Sequence, residues 1–228
     1  MNNAATIIPA ILPKNLEDLH QALAQMQSIA PVVQIDVVDG VFAPTKTWPY
    51  VGGEEFEKML AQDEGLPFWE DIDFQFDLML ANPKDEVERF VQAGAASVII
   101  HAMSPGAKEA LVLLQESRPI VSVGVAFLPS AVVADVQAFE GLCDFVQVMG
   151  IAEVGSQGKP FDARALTLVA ALRAARPELL IQIDGGVSLS SAEALVQAGA
   201  NRLVVGSAIF GAADPVDAYK RLYTEVNA

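Results

Sequence analysis

The sequence predicts an α/β protein, a single (β/α)8 TIM barrel spanning residues 1–228. Three observations point there. Short apolar runs alternate with longer stretches of helical periodicity along the whole chain, and strands buried on both faces and separated by helices form parallel sheets. Eight such pairs fit within about 220 residues, the size of one closed barrel. Finally, the frame Val-Gln-Ala-Gly-Ala occurs at Val91–Ala95 and again at Val196–Ala200, each time ending a helix and leading into a strand. By position these are the fourth and eighth strands, as two similar half-barrels would have them. Ala-Gly-Ala is also a generic helix stop, and periodicity does not show closure, so an open doubly wound sheet remains the alternative.

The expected strands are Thr6–Leu12, Val32–Val37, Phe74–Leu80, Ser97–His101, Val121–Ala126, Phe145–Val148, Leu180–Ile183 and Arg202–Val205. Each is a short run of apolar, mostly β-branched or aromatic residues bounded by turn formers. Helices are expected near Leu16–Ile29, Glu54–Gln62, Lys84–Ala93, Ala107–Glu116, Ala131–Phe139, Ala163–Ala175, Ser190–Ala198 and Pro215–Val226. No linker divides the chain. The acidic, irregular stretch Asp63–Asp73 reads as surface decoration between the second helix and the third strand, with Trp48 and Trp69 beside it to pack loops or an oligomer interface.

Composition narrows the function. With 14 Lys and Arg against 29 Asp and Glu, the net charge is −15, which argues against a nucleic acid or an anionic membrane as the main partner. A small anion stays open, because backbone amides bind phosphate without any basic side chain. At 52% hydrophobic and 19% charged, the chain has the material for a large core. Cys143 stands alone, which excludes an internal disulfide or a cysteine-rich zinc site, and His20 and His101 are the only histidines. The N-terminus lacks a signal-peptide pattern, and no apolar run reaches the roughly 18 residues of a membrane span, so a soluble cytoplasmic protein is expected.

In such a barrel the chemistry gathers at the C-terminal ends of the strands. Gln34 and Asp36 lie two apart in Val-Val-Gln-Ile-Asp-Val-Val-Asp-Gly and therefore share a face, inward if their apolar neighbours pack outward. Asp77 ends the third strand and Asp184 the seventh. A carboxylate among Val and Ile is costly without a partner, a metal or a proton. Any one of them could be a loop or helix cap; three at three strand ends point to one acidic cup. Gly185-Gly186 after the seventh strand and Gly206-Ser207 after the eighth stand where this fold binds phosphate through free N–H groups. Together they predict a small phosphorylated ligand. His101 ends the fourth strand, as a pocket hydrogen-bond donor or a satisfied structural histidine; His20 reads as a solvated helix residue, and Met79 and Met149 as core filler or pocket wall.

These residues bring a family into view. Ile8-Pro9-Ala10-Ile11-Leu12, Ile35-Asp36-Val37-Val38-Asp39-Gly40-Val41-Phe42-Ala43-Pro44, Asp77-Leu78-Met79, Asp184-Gly185-Gly186-Val187 and Gly206-Ser207-Ala208-Ile209-Phe210 resemble ribulose-phosphate 3-epimerases, in order and along nearly the whole chain. The resemblance implies a barrel of the ribulose-phosphate-binding type that interconverts D-ribulose 5-phosphate and D-xylulose 5-phosphate. It implies Asp36 and Asp184 as the acid/base pair on opposite faces of C3, since a single base would restore the starting configuration. It also implies Gly185, Gly186, Gly206 and Ser207 as phosphate contacts, and a substrate pocket that includes Ala10, Met79, His101 and Met149.

Departures from the family pattern are specific. Family members hold a divalent metal through His, Asp, His, Asp, and here Gln34 and Asp77 stand at the two histidine positions. The implied ligand set Gln34, Asp36, Asp77, Asp184 is all oxygen, which favours Mn²⁺ or Mg²⁺ over Zn²⁺ and leaves Fe²⁺ open. Without a metal, three carboxylates repel and one has its pKa raised. Ala10 replaces a family serine and Val38 a methionine. The loop Ala152–Lys159 keeps Gly155 and Gly158, as a mobile lid would, but carries an unexpected Glu153 near the phosphate site. The alternatives are an isomerase or epimerase of another sugar phosphate on the same barrel, or a non-catalytic sugar-phosphate binder. The resemblance is compatible with a homo-oligomer, and nothing in the composition opposes one.

Overall fold

A computed structural model describes residues 5–61 and 64–227. Eight strands form a closed parallel barrel in sequence order: β1 (Thr6–Ile11), β2 (Val32–Val38), β3 (Asp73–Met79), β4 (Ala95–His101), β5 (Ser122–Phe127), β6 (Phe145–Met149), β7 (Leu180–Asp184) and β8 (Arg202–Val205). β1 pairs with β8 from Thr6–Arg202 to Pro9–Val205, which closes the ring and removes the open-sheet alternative. The helices α1 (Leu16–Met26), α2 (Glu54–Leu60), α3 (Val87–Gln92), α4 (Ala107–Leu113), α5 (Val133–Gln137), α6 (Arg164–Ala175), α7 (Leu189–Ala198), α8 (Ser207–Phe210) and α9 (Pro215–Asn227) follow the strands. No helix among the described residues is long and apolar enough to cross a membrane.

Period-two alternation sorts each strand into two faces. Val33, Ile35 and Val37 of β2, Phe74, Phe76 and Leu78 of β3, and Ile181 and Ile183 of β7 belong to one large cluster between the barrel and its helices. The alternate positions face the barrel interior. There Ile8, Ala10 and Val204 form one small cluster, Ile99, Ala126, Phe145, Met149 and Ile151 a second, and Val38, Ala43 and Met79 a third. Gly124 makes the second possible, because a Cβ on it would stand 2.5 Å from the Phe145 ring. The Arg202 guanidinium lies 5.2 Å from the centre of that ring and closes the interior there.

Helix ends obey local chemistry. Asn15 caps α1, its side-chain oxygen accepting the Asp18 N–H at 2.8 Å, and Leu19, Leu23 and Met26 form the buried stripe. Each such side chain contributes about 1.5–3 kcal/mol through burial. The repeated Val-Gln-Ala-Gly-Ala frame does lead into β4 and β8. Its glycines, Gly94 (φ +94°) and Gly199 (φ +115°), adopt the left-handed conformation that ends α3 and α7.

Several elements are shorter than their periodicity implies. α3 begins only at Val87, because Pro83–Asp85 forms a separate 3-10 turn. α4 gives way to a 3-10 turn at Leu114–Glu116, and α5 spans only Val133–Gln137. The short α8 overlaps the Gly206-Ser207 segment and was not expected. Trp48 is fully buried, edge-on to Phe56, whereas Trp69 is exposed. Of the acidic stretch Asp63–Asp73, Asp63 lies outside the described residues, as does Gln62 at the end of the expected second helix; the remainder is irregular up to β3.

Candidate active site

Strand register assembles the site in two tiers. In the lower tier Gln34 pairs in register with Gln75, and Gln147 with Gln182. One step up, Asp36 pairs with Asp77, and Met149 with Asp184. All four glutamines and Asp77 are wholly buried, and Asp36 and Asp184 nearly so. One carboxylate oxygen from each of Asp36, Asp77 and Asp184 lies within 4.8 Å of the others.

Hydrogen bonds hold this cup. The Gln34 amide nitrogen donates to Asp36 Oδ1 at 2.8 Å and to Asp184 Oδ2 at 2.9 Å, tying β2 to β7. Asp77 is held at both oxygens, by His101 Nε2 at 3.0 Å and by Gln147 Nε2 at 3.0 Å. Gln147 Nε2 also reaches Asp184 Oδ2 at 3.4 Å. Burial, then the Asp184 and Asp77 charges, push the Asp36 carboxyl well above its ordinary range despite the Gln34 bond. Burial and the Asp77 charge push Asp184 up to about 7. Both carboxyls are thereby biased towards their protonated forms, and a cation among them would oppose that bias. Three converging buried carboxylates could hold one divalent ion.

A pocket opens above the cup. Asp36, Asp184, Ala10, Met79 and Met149 lie on its floor and wall, and Gly185, Gly186, Gly206 and Ser207 line one side. Gly185 (φ +98°) and Gly186 (φ +67°) have backbones that other residues adopt only under strain. A Cβ on Gly186 would also meet Phe161 Cα at 2.8 Å. The segment Gly155–Lys159 covers the pocket, latched where the Gln157 amide donates to the Ala10 carbonyl at 3.1 Å. Glu153 points to solvent and pairs with Lys159 Nζ at 3.1 Å, so its charge is met by the one basic residue that lines the pocket.

Gln34, Asp77 and His101 lie beneath the pocket rather than on its wall. The His101 ring is buried beside Phe42, at 5.1 Å between ring centres, with Nε2 against Asp77 Oδ1. Gln34 presents nitrogen, not oxygen, to the carboxylates. His20 is exposed beside Phe68, as its helix position suggested. Sequence reasoning missed Gln147 and Gln182. The available signal was a lone amide amid Val and Ile in each strand, two residues before Met149 and Asp184.

The structural likenesses show the fold alone. The chain resembles 3-hexulose-6-phosphate synthase from Salmonella typhimurium (17% identity, TM-score 0.71, covering 97% of this chain and 98% of that one). It likewise resembles orotidine 5'-phosphate decarboxylase from Pyrococcus horikoshii OT3 (17%, TM-score 0.68, 98% and 100%). Sequence relatives are closer. Ribulose-phosphate 3-epimerase of Treponema pallidum (strain Nichols) is 31% identical over 215 residues, covering 92% of this chain and 93% of the relative. The Schizosaccharomyces pombe enzyme of the same name is 27% identical over 223 residues, covering 97% and 94%. The sequence profile of the ribulose-phosphate 3-epimerase family matches residues 6–210. With the closed barrel and its polar floor, that match makes the chain an isomerase of the epimerase type and a member of the ribulose-phosphate 3-epimerase family.

Proposed function

We propose that this protein interconverts D-ribulose 5-phosphate and D-xylulose 5-phosphate through an enediolate, with Asp36 and Asp184 as the acid/base pair. One observation carries the reading: carboxylates from β2 and β7 meet at a single amide nitrogen, that of Gln34, on the floor of a pocket walled by Gly185-Gly186 and Gly206-Ser207. The ionised aspartate takes the C3 proton; the protonated one returns its own proton to the opposite face. The exchange leaves the two residues with their protonation states swapped, ready for the reverse direction. The raised pKa values suit this sharing of a proton at neutral pH. Backbone N–H groups of the two glycine segments would take the phosphate, with Lys159 at the rim. Met79 and Met149 offer an apolar wall that excludes water from the reacting carbon.

Asp36, Asp77 and Asp184, with Gln34, would hold one divalent cation, Mn²⁺ or Mg²⁺ in preference to Zn²⁺ and with Fe²⁺ accommodated. When bound it stabilises negative charge developing on the substrate oxygen.

The test is epimerisation of D-ribulose 5-phosphate by metal-stripped protein given Mn²⁺, Mg²⁺, Zn²⁺ or Fe²⁺ separately, beside Asp36→Asn and Asp184→Asn. Metal-dependent turnover that incorporates solvent deuterium at C3 and is lost in both variants is expected. Exchange at another carbon would favour an isomerase of the same barrel over a 3-epimerase, and phosphate binding without turnover would make the protein a binder.

A further inference from the structure

Beneath the aspartates lies a layer of four glutamines with an unusual bonding pattern. The Gln182 amide nitrogen is 2.6 Å from Gln147 Oε1, 2.9 Å from Gln75 Oε1 and 3.3 Å from Gln34 Oε1. An amide nitrogen has two hydrogens to give, so three acceptors compete for them. Gln182 Oε1 and Gln75 Nε2 meanwhile find no partner among the described residues although fully buried. Gln34 and Gln147 thus point oxygens down at Gln182 and nitrogens up at the carboxylates.

The two ends of an amide are nearly the same size, so a half-turn exchanges them with almost no movement of heavy atoms. If Gln34 and Gln147 turn, their NH₂ groups meet the NH₂ of Gln182, donor against donor, until Gln182 turns as well. With Gln75 following, three NH₂ groups share the two lone pairs of the central Gln182 oxygen, as three oxygens share its two hydrogens now. The layer therefore has two concerted settings, nitrogens up or oxygens up, and a single turned amide adds a donor–donor or acceptor–acceptor contact to either. Carboxylates alone favour nitrogens up; a cation among them favours oxygens up.

We infer that Gln147, on β6, is a further oxygen ligand of the divalent cation, and that Gln34, Gln75, Gln147 and Gln182 turn over together when it binds. Spacing supports this. Oxygens about 2.1 Å from an octahedral ion stand about 3.0 Å apart along each edge. The upper atom of Gln147 is 3.0 Å from Asp77 Oδ2 and 3.4 Å from Asp184 Oδ2; that of Gln34 is 2.8 Å and 2.9 Å from its two carboxylates. The inference rests on the metal site proposed above.

Full-length protein freed of metal by chelation is titrated with Mn²⁺, with free Mn²⁺ followed by electron paramagnetic resonance. Gln147→Leu weakens binding about 10- to 100-fold. Gln182→Leu, which cannot reach the ion, weakens it less, and the double variant falls short of the sum of the two effects. Gln147→Glu keeps an oxygen and adds a fourth carboxyl that a cation would neutralise: it binds Mn²⁺ at least as tightly as wild type and melts lower without metal at pH 8, where the extra carboxylate is crowded by its neighbours. This variant decides the matter if Gln147→Leu does not fold. Mn²⁺ affinity within threefold of wild type in folded Gln147→Leu, or at least tenfold weaker in Gln147→Glu, overturns the ligand role alone. Wild type that binds no Mn²⁺ overturns the metal site with it.

Discussion

Gly150 donates its backbone N–H to the carbonyl oxygen of Asp184 at 2.6 Å, fastening the chain after β6 to the strand end that carries a candidate acid/base group. No side chain fits there: a Cβ on Gly150 would stand 2.0 Å from the Gly185 carbonyl oxygen. Gly150→Ala is expected to force the two loops apart, costing about 1–3 kcal/mol of stability as overpacking does. Because Asp184 and Gly185 move with that peptide, kcat falls too. Thermal melting and steady-state kinetics on the one variant check both; an unshifted Tm would show that the loops separate freely.

Asp36→Asn and Asp184→Asn should each lower epimerase turnover about 10²- to 10⁴-fold, the range of a lost acid or base. The same changes should leave the metal-free fold intact or raise its Tm at pH 8. Burial and neighbouring charge disfavour each carboxylate, and asparagine of equal size carries none. Loss of activity with a lower Tm would instead mark a structural role.

The barrel was legible because its strands are short, largely apolar runs buried on both faces, and β8 begins and ends at the residues expected, Arg202 and Val205. Asp36, Asp77 and Asp184 were legible for a related reason: a carboxylate in a run of Val and Ile has no cheap place to go. Glutamine is different. Gln147 and Gln182 carry no charge, and only the strand register, which pairs them, turns two isolated amides into a layer. His101 stayed open between two roles because its position at a strand end fixes height along the barrel but not which carboxylate its ring will meet. α3 is short because Pro83–Asp85 closes as a separate 3-10 turn, and α5 is shorter than expected because the apolar Ala131, Val132, Ala138 and Phe139 at its two ends continue the helical pattern without continuing the helix.

Metal-free stability should fall as pH rises from 5 to 8. Unfolded, the Asp36 and Asp184 carboxyls titrate near 3.9; folded, both sit higher, Asp184 at about 7. The folded state therefore binds more protons across that window, and the stability this adds is complete below the unfolded value and lost as pH passes the folded one. The Tm in chelator should drop by roughly 5 °C or more over the window. Saturating Mn²⁺, or the Asp36→Asn/Asp184→Asn double variant, should remove the slope. A flat profile in chelated wild type would mean the cluster holds no shared proton.

Lys159 is the one lysine or arginine that lines the pocket, and it stands at the partly exposed rim, paired with Glu153 at 3.1 Å. A rim cation meets the substrate phosphate equally before and during proton transfer, so it contributes uniform binding rather than rate. Lys159→Ala is expected to raise KM about tenfold while kcat stays within about twofold. Glu153→Gln, which releases Lys159 from its partner, should lower KM. Both effects should shrink in 0.5 M salt, since screening at about 4 Å length reaches exposed charges first. A fall in kcat matched by an unchanged KM in Lys159→Ala would move the lysine from the phosphate to the reacting carbon, and the lid with it.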